Sequence, residues 1–129
     1  MASFLTQMRN ADAGGFVLRN QRTGAVVATH LIPGFDSATR NVGLLGRDSL
    51  DPGSAMIIAP TNAVHTFFMR FPIDIAFVKK DGRILKIRER LPAWRIAAAW
   101  GAYAVVEMAG GSFELAATAP GDRLTVERP

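Results

Sequence analysis

Apolar residues along this chain occur in short runs separated by turn-forming residues, a pattern typical of β-strands joined by tight loops. The runs occupy residues 15–19, 25–32, 55–59, 64–68, 73–78, 83–91, 103–108 and 123–127. Asp81-Gly82 is the strongest hairpin signal, because both residue types tolerate a positive φ. About eight strands in so short a chain predict a mostly β domain, either barrel-like or a sandwich.

Helical signals are few and short. Asp36 or Ser37 can cap a helix over residues 38–45, although Gly43 weakens it. Residues 112–117 predict one helical turn, and the Ala- and Trp-containing segment 96–103 favours neither helix nor strand. We therefore expect one or two short helices. A length of 129 residues predicts a single domain over residues 1–129.

Composition removes several kinds of chemistry. The absence of cysteine excludes disulfides, thiolate metal sites and cysteine nucleophiles, and two histidines exclude a three-histidine metal centre. His65 and Met69 suit copper(I) by type, but four strand positions separate them by about 13 Å. Glycine-rich phosphate-binding fingerprints are missing as well. We expect no metal and no cofactor.

Positive charge is concentrated in one segment. Residues 70–95 carry eight Lys or Arg side chains against three acidic ones, in a chain whose net charge is +4. Lys86, Arg88 and Arg90 alternate along residues 83–91, which predicts that they share one solvent-facing side of a strand. No aromatic residue alternates with them, as stacking on bases requires. Anion or nucleic-acid binding through residues 83–91 is therefore kept only as a second alternative.

No segment has the character of a membrane span. The longest stretch without a charged side chain, residues 52–69, is interrupted by Pro60, Asn62 and His65. The N-terminus lacks the basic and apolar regions of a signal peptide. As given, the chain is expected in the cytoplasm; it would be periplasmic or exported if its N-terminus had been trimmed.

Several sequence blocks occur in the order seen in a known family. They are Arg-Asn-Val-Gly-Leu-Leu-Gly-Arg at 40–47, Ser-Ala-Met-Ile-Ile at 54–58, the central block at 65–78, Asp-Gly at 81–82, Val-Val-Glu at 105–107 and Pro-Gly-Asp at 120–122. Over about residues 16–127 the chain resembles the domain-of-unknown-function-192 (DUF192) family. Ala55 and Phe68 stand where that family usually has Gly and Trp. The resemblance implies a small, β-rich, barrel-like domain and no particular activity.

Asp74 is the most informative polar residue of the predicted strands. It lies between Ile73 and Ile75 and therefore points to the opposite face, among small apolar neighbours. A carboxylate there is costly unless it is hydrogen-bonded or paired with a cation. We predict Arg47 as that partner, because a guanidinium can hold a carboxylate with two parallel bonds. A pocket acid remains the alternative role.

The function that these residues favour is binding. We predict a binding or accessory module for a small polar ligand or a peptide, with a concave face walled by His65, Phe67 and Met69 and with Arg47 and Asp74 nearby.

The alternative is a hydrolase or transferase. Its catalytic candidates are His65, Asp74 and Glu107, and it requires His65 and a carboxylate within hydrogen-bond reach of one pocket. No Gly-x-Ser-x-Gly or other catalytic motif is present, so the sequence does not decide whether the protein is an enzyme.

Overall fold

Ten β-strands and three short α-helices form the part of the chain that the computed structural model describes, residues 2–10 and 13–129. A single 3-10 turn, Ala13–Gly15, precedes the first strand. The elements are α1 (Thr6–Arg9), β1 (Val17–Asn20), β2 (Val26–Ala28), β3 (His30–Gly34), α2 (Ser37–Val42), β4 (Ser54–Ile58), β5 (Ala63–His65), β6 (Ile73–Val78), β7 (Ile84–Leu91), β8 (Ile96–Ala98), β9 (Ala104–Ala109), α3 (Ser112–Leu115) and β10 (Leu124–Glu127).

The strands form three sheets. A central five-stranded sheet has the order β3-β4-β9-β6-β7, a second has the order β10-β1-β2, and β5 pairs with β8. All pairs are antiparallel except β3 with β4. The prediction of a mostly β, sandwich-like domain is confirmed. The barrel-like alternative is wrong, because the central sheet does not close: β3 and β7 remain at its opposite edges.

The inner strands of the central sheet, β4, β9 and β6, are buried on both faces, and this explains their near-continuous apolar sequences. Every residue of β4 and β6 is buried. One face packs on the three-stranded sheet through residues such as Leu18, Ala76 and Val106. The other face packs under residues of the α2–β4 loop and of β8, including Leu44 and Ala97.

The hairpin between β6 and β7 confirms the strongest turn signal. Gly82 has φ of +92°, and its N–H donates to the carbonyl of Lys79 at 2.9 Å. A Cβ atom at this position would lie 2.1 Å from the carbonyl oxygen of Leu124. Only glycine fits, because both the conformation and the close approach of β10 exclude a side chain.

Several other predicted strands and helices have different boundaries in the structure. Residues 25–32 divide into β2 and β3, which belong to different sheets. The strand expected over residues 64–68 ends at His65, because Phe68 adopts a left-handed φ of 65°. The predicted helix is shorter, although Asp36 caps it by accepting a hydrogen bond from the Thr39 N–H at 2.8 Å.

Arg90 does not share the face of Lys86 and Arg88, so the prediction of one basic face over all three residues is wrong. The register against β6 shifts twice, once beside Phe77 and once between the positions opposite Ile73 and Ile75. Lys86 lies over the ring of Phe77, whereas Arg90, with φ of 47°, pairs with Glu114 of α3 at 2.9 Å. Bulges break the two-residue alternation on which the prediction depended.

The predicted pair between Arg47 and Asp74 is also wrong. The Asp74 carboxylate is fully buried and accepts three backbone hydrogen bonds. The N–H groups of Arg90 and Gly111 donate to Oδ1 at 2.8 and 3.0 Å, and that of Phe113 donates to Oδ2 at 3.0 Å. Arg47 is exposed in the loop after α2, where it lines a surface hollow beside His30.

We expect Asp74→Asn to lower the free energy of unfolding by about 2 kcal/mol or more, because an amide cannot accept all three bonds and leaves a buried N–H unpaired. Arg47→Met should change it by less than about 0.5 kcal/mol. Urea titrations of both single variants and the double variant measure these effects. Additive losses are expected; a double variant that loses clearly less than the sum would show that the two side chains interact.

Candidate functional site

A cleft of about 260 Å³ opens between the end of α2 and strand β5. Residues 40–45 form one wall, residues 63–65 form the other, and Met69 and Glu107 also line it. Pockets for drug-sized ligands occupy about 300–1,000 Å³. This cleft therefore matches a small ligand or one side chain of a larger one.

Glu107 reaches the cleft from the middle of the central sheet. Along β9, Val106 and Met108 point into the core under the three-stranded sheet, so Glu107 points to the opposite face. Its backbone pairs with Met56 on β4 and Ile75 on β6. The carboxyl group is therefore flanked by apolar side chains on both neighbouring strands.

The carboxyl group of Glu107 is buried on the cleft. The residue is 5% exposed, and within the described parts of the chain its side chain makes no hydrogen bond or ion pair. Burial raises the pKa of Glu107 to about 7, because desolvation penalises the charged form. Such a group gains most from a ligand that supplies a hydrogen-bond donor or a cation.

Two basic residues line the cleft, and neither forms a hydrogen bond or an ion pair with Glu107. The Arg40 guanidinium donates to the carbonyl of Phe35 at 2.8 Å and to Ser37 Oγ at 3.3 Å. His65 Nδ1 accepts a hydrogen bond from the Phe67 N–H at 3.2 Å. In the neutral imidazole the proton is thus on Nε2, and Glu107 receives no compensation from either residue.

Aromatic side chains continue from His65 away from the cleft. The His65 ring stacks on Phe67 at 4.9 Å, Phe67 stacks on Trp94 at 5.8 Å, and Phe68 meets Trp94 edge-on at 4.7 Å between centroids. Phe68 is 71% and Trp94 57% exposed. We refer to these four residues as the aromatic shelf. Exposed apolar clusters of this kind are typical of interaction sites.

Thr66 holds the shelf in place. It is fully buried, and its Oγ1 donates to the carbonyl of Pro92 at 2.7 Å and accepts from the Arg95 N–H at 2.9 Å. Its own carbonyl accepts from the Trp94 N–H at 3.1 Å. Phe68 and Trp94 both have left-handed φ values, 65° and 67°, which surrounding bonds must maintain.

The structure brings only part of the expected site together. His65, Met69 and Glu107 line one cleft, and Phe67 lies beside it. Asp74 does not belong there: it pairs with Met108, one position along from Glu107, and so points to the other face.

Arg47 lines a separate hollow. Its position, like that of Asp74, corrects the expected grouping around the cleft. His65 and Glu107 both line the cleft, and they make no hydrogen bond to each other.

Sequence reasoning missed the contribution of Thr66 and Trp94. Residues 66 and 94 are far apart along the chain, and neither neighbourhood carries a motif that indicates their contact. The run Phe67-Phe68 is the one local signal. Successive residues of a strand point to opposite faces, so two large apolar residues in a row do not fit a strand with one solvent-exposed face.

Metal-ligand clusters and membrane-spanning helices are both absent from the described ranges. In the described ranges, no three His, Asp or Glu side chains converge on a point where they could hold a metal ion. No helix in those ranges combines the length and the apolar character that crossing a membrane requires.

Comparison with known proteins gives the same fold in two solved structures. One, described as a "putative transcription regulator" from Sinorhizobium meliloti 1021, matches 86% of this chain and 91% of its own at 22% identity and a TM-score of 0.74. The other, a protein of unknown function from Novosphingobium aromaticivorans DSM 12444, matches 84% of this chain and 81% of its own at 25% identity and a TM-score of 0.73.

The family model DUF192, described as "Uncharacterized ACR", matches residues 21–126. The resemblance expected over about residues 16–127 is thereby confirmed. No curated protein matches the chain.

We expect the stability of the protein to fall as the pH rises from 5 to 8. The folded-state pKa of Glu107 is about 7 and the ordinary value is 4.5, so the native state keeps a proton that the unfolded state has lost. The protonated carboxyl group therefore contributes to the free energy of unfolding at pH 5. This contribution, about 2–3 kcal/mol, is lost as the pH rises through 7.

Urea titrations at both pH values measure this loss, and Glu107→Gln should abolish it. Glu89→Gln, at an exposed carboxylate on β7, is the matched control and should retain it. If Glu107→Gln kept the full pH dependence, another group would be responsible.

Proposed function

The chain belongs to the DUF192 family, and we propose that it is a binding module whose cleft takes a small polar group bearing an N–H donor. The observation that carries this proposal is the buried carboxyl group of Glu107, which lies on the cleft and bonds to no group in the described part of the chain. An ammonium, a guanidinium or an amide N–H placed there would provide the hydrogen bond that the protein itself does not.

Charge favours a cation among these donors. An ionised carboxylate removed from water is stabilised strongly by a hydrogen-bonded cation and only weakly by a neutral donor. The C-terminal end of α2 borders the same cleft, and its carbonyl groups also favour positive charge. No side-chain cation within the described residues occupies this position, since Arg40 bonds to Phe35 and Ser37.

The size of the cleft and the residues at its border limit the choice of ligand further. A volume of about 260 Å³ accommodates a short aliphatic chain ending in a charged group. His65 lines the cleft and also belongs to the aromatic shelf, so an apolar extension of the ligand could leave the cleft across Phe67 and Trp94. The proposed ligand is therefore amphipathic, with its cationic end innermost.

A second function is favoured by one observation. Burial holds the pKa of Glu107 at about 7, close to neutral pH, and His65 lines the same cleft. A carboxyl group with such a pKa is suited to general acid–base catalysis of a hydrolase or transferase reaction. Recovery of the ligand unchanged after long incubation supports the binding module, whereas conversion that depends on Glu107 supports the enzyme.

n-Butylammonium tests the binding proposal. At pH 8 we expect saturable shifts of the backbone amide NMR signals of residues 43–45 and 63–65, and neither n-butanol nor butyrate should produce them. Affinity should decrease between pH 8 and pH 6, because Glu107 takes up a proton and loses its charge.

Glu107→Gln should weaken n-butylammonium binding about ten-fold or more, because it removes the buried charge that pairs with the amine. Glu89→Gln should bind it like the unmodified protein. Equal binding by the Glu107→Gln variant, or tighter binding of butyrate than of n-butylammonium, would contradict the proposal.

A further inference from the structure

One edge of the two-stranded β5–β8 sheet borders the cleft. Hydrogen bonding alternates along an antiparallel pair, so every second residue turns its N–H and C=O away from its partner strand. The Ala99 N–H donates to the carbonyl of Asn62 at 3.0 Å, and the Thr66 N–H donates to that of Arg95 at 2.8 Å. Residues 62, 64 and 66 therefore bond toward β8, while residues 63 and 65 point away from it.

Of those two outward-facing residues, His65 is the one left unpaired. Thr61 Oγ1 donates to the carbonyl of Ala63 at 3.0 Å and accepts from its N–H at 3.4 Å. The backbone N–H and C=O of His65 make no hydrogen bond within the described residues. His65 is exposed and lines the cleft. An unpaired strand edge is a template for an added strand.

The opposite edge of this sheet is less suitable. On β8, the carbonyl of Ala98 accepts a hydrogen bond from Lys86 Nζ at 3.0 Å. A lysine placed across an edge is a device that discourages strand pairing. The β5 edge has no such cover at His65, and the cleft that holds Glu107 lies beside it.

Three features are thus continuous on one surface: the β5 edge at His65, the carboxyl group of Glu107 in the cleft, and the aromatic shelf. Strand addition uses such a combination, because backbone bonds provide affinity and a pocket for one side chain provides specificity. Side chains on one face of an extended peptide repeat about every 6.6 Å, which is two residues. The next ring of the shelf after His65 is Phe67, two residues further along the chain.

We infer that the partner of this cleft is an extended peptide that adds to the β5 edge at His65, with a lysine or arginine side chain directed to Glu107 and an aromatic residue two positions away on the shelf. This inference rests on the proposed function and names its ligand class. The peptide aligns through its backbone, so its direction along β5 decides on which side of the basic residue the aromatic one lies.

Two blocked peptides test the inference, one for each direction: acetyl-Lys-Thr-Phe-amide and acetyl-Phe-Thr-Lys-amide. NMR titration at pH 8 should show that one of them binds about ten-fold or more tightly than n-butylammonium. Norleucine in place of lysine should remove most of this affinity, and so should Glu107→Gln. Phe68→Gly should weaken the peptide about three-fold or more, and glycine is chosen because φ there is 65°.

N-methylation of each peptide nitrogen in turn isolates the backbone contribution. In an added strand alternate N–H groups face β5, so methylation should weaken binding about ten-fold at some positions and little at the neighbouring ones. Equal affinity of all the methylated peptides would overturn strand addition. Sedimentation velocity tests whether a second copy of the chain takes the edge; self-association that protects the amides of residues 63–65 would also overturn it.

The results separate the two proposals. If n-butylammonium binds in a manner that depends on Glu107 but neither peptide binds more tightly, the peptide inference fails and the proposed function stands. If neither the amine nor the peptides depend on Glu107, both fail. If an n-butyl glycoside bound more tightly than either peptide, the result would overturn the peptide inference and indicate a sugar ligand on the same shelf.

Discussion

Burial of the central sheet on both faces is the constraint from which the rest of this structure follows. Strands β4, β9 and β6 lie between two apolar cores, so each of their side chains must enter one core or the other. A carboxylate at such a position is costly unless something bonds it. Two carboxyl groups occupy these strands, Asp74 and Glu107, one position apart in the ladder and on opposite faces.

These two carboxyl groups show the two outcomes of burying an acid. Three backbone N–H groups bond Asp74, and in doing so they join the bulge of β7 to the start of α3. Among the described residues no group donates to the Glu107 carboxyl group, which faces a cleft. The first arrangement stabilises the fold, whereas the second holds a charge at the expense of stability. An unfavourable charge beside an opening is characteristic of sites where a ligand or a reaction uses it.

Local signals predicted the elements that local forces determine. The continuous apolar run of β6 and the Asp81-Gly82 turn lie where the sequence places them. Burial on both faces requires apolar residues and a positive φ favours glycine, so both features are visible in the sequence. The predicted Arg47–Asp74 pair is wrong because backbone N–H groups bond Asp74. Every residue type except proline carries such a group, so the sequence does not indicate which ones donate. Arg90 was misplaced because a bulge leaves little trace in the alternation of polar and apolar residues.

The candidate site was less accessible to sequence reasoning, because it assembles from distant segments. Glu107 could be named as a candidate acid, but its lack of a partner depends on where the loop after α2 and β5 come to lie. The shelf depends on Thr66, which joins residues 66–69 to residues 92–95 through its backbone and hydroxyl. Contacts of this range follow from the fold and have no local motif.

The state of the Glu107 carboxyl group is the point on which the account depends. A ¹³C NMR titration of its side-chain carboxyl carbon, assigned by comparison with Glu107→Gln, observes it directly. The account predicts a midpoint near pH 7 in the free protein, because burial raises the pKa of this group to about 7. It also predicts a lower midpoint when n-butylammonium is present, because a bound cation favours the ionised form. A midpoint near the ordinary value of 4.5, or one that the amine leaves unchanged, would contradict it.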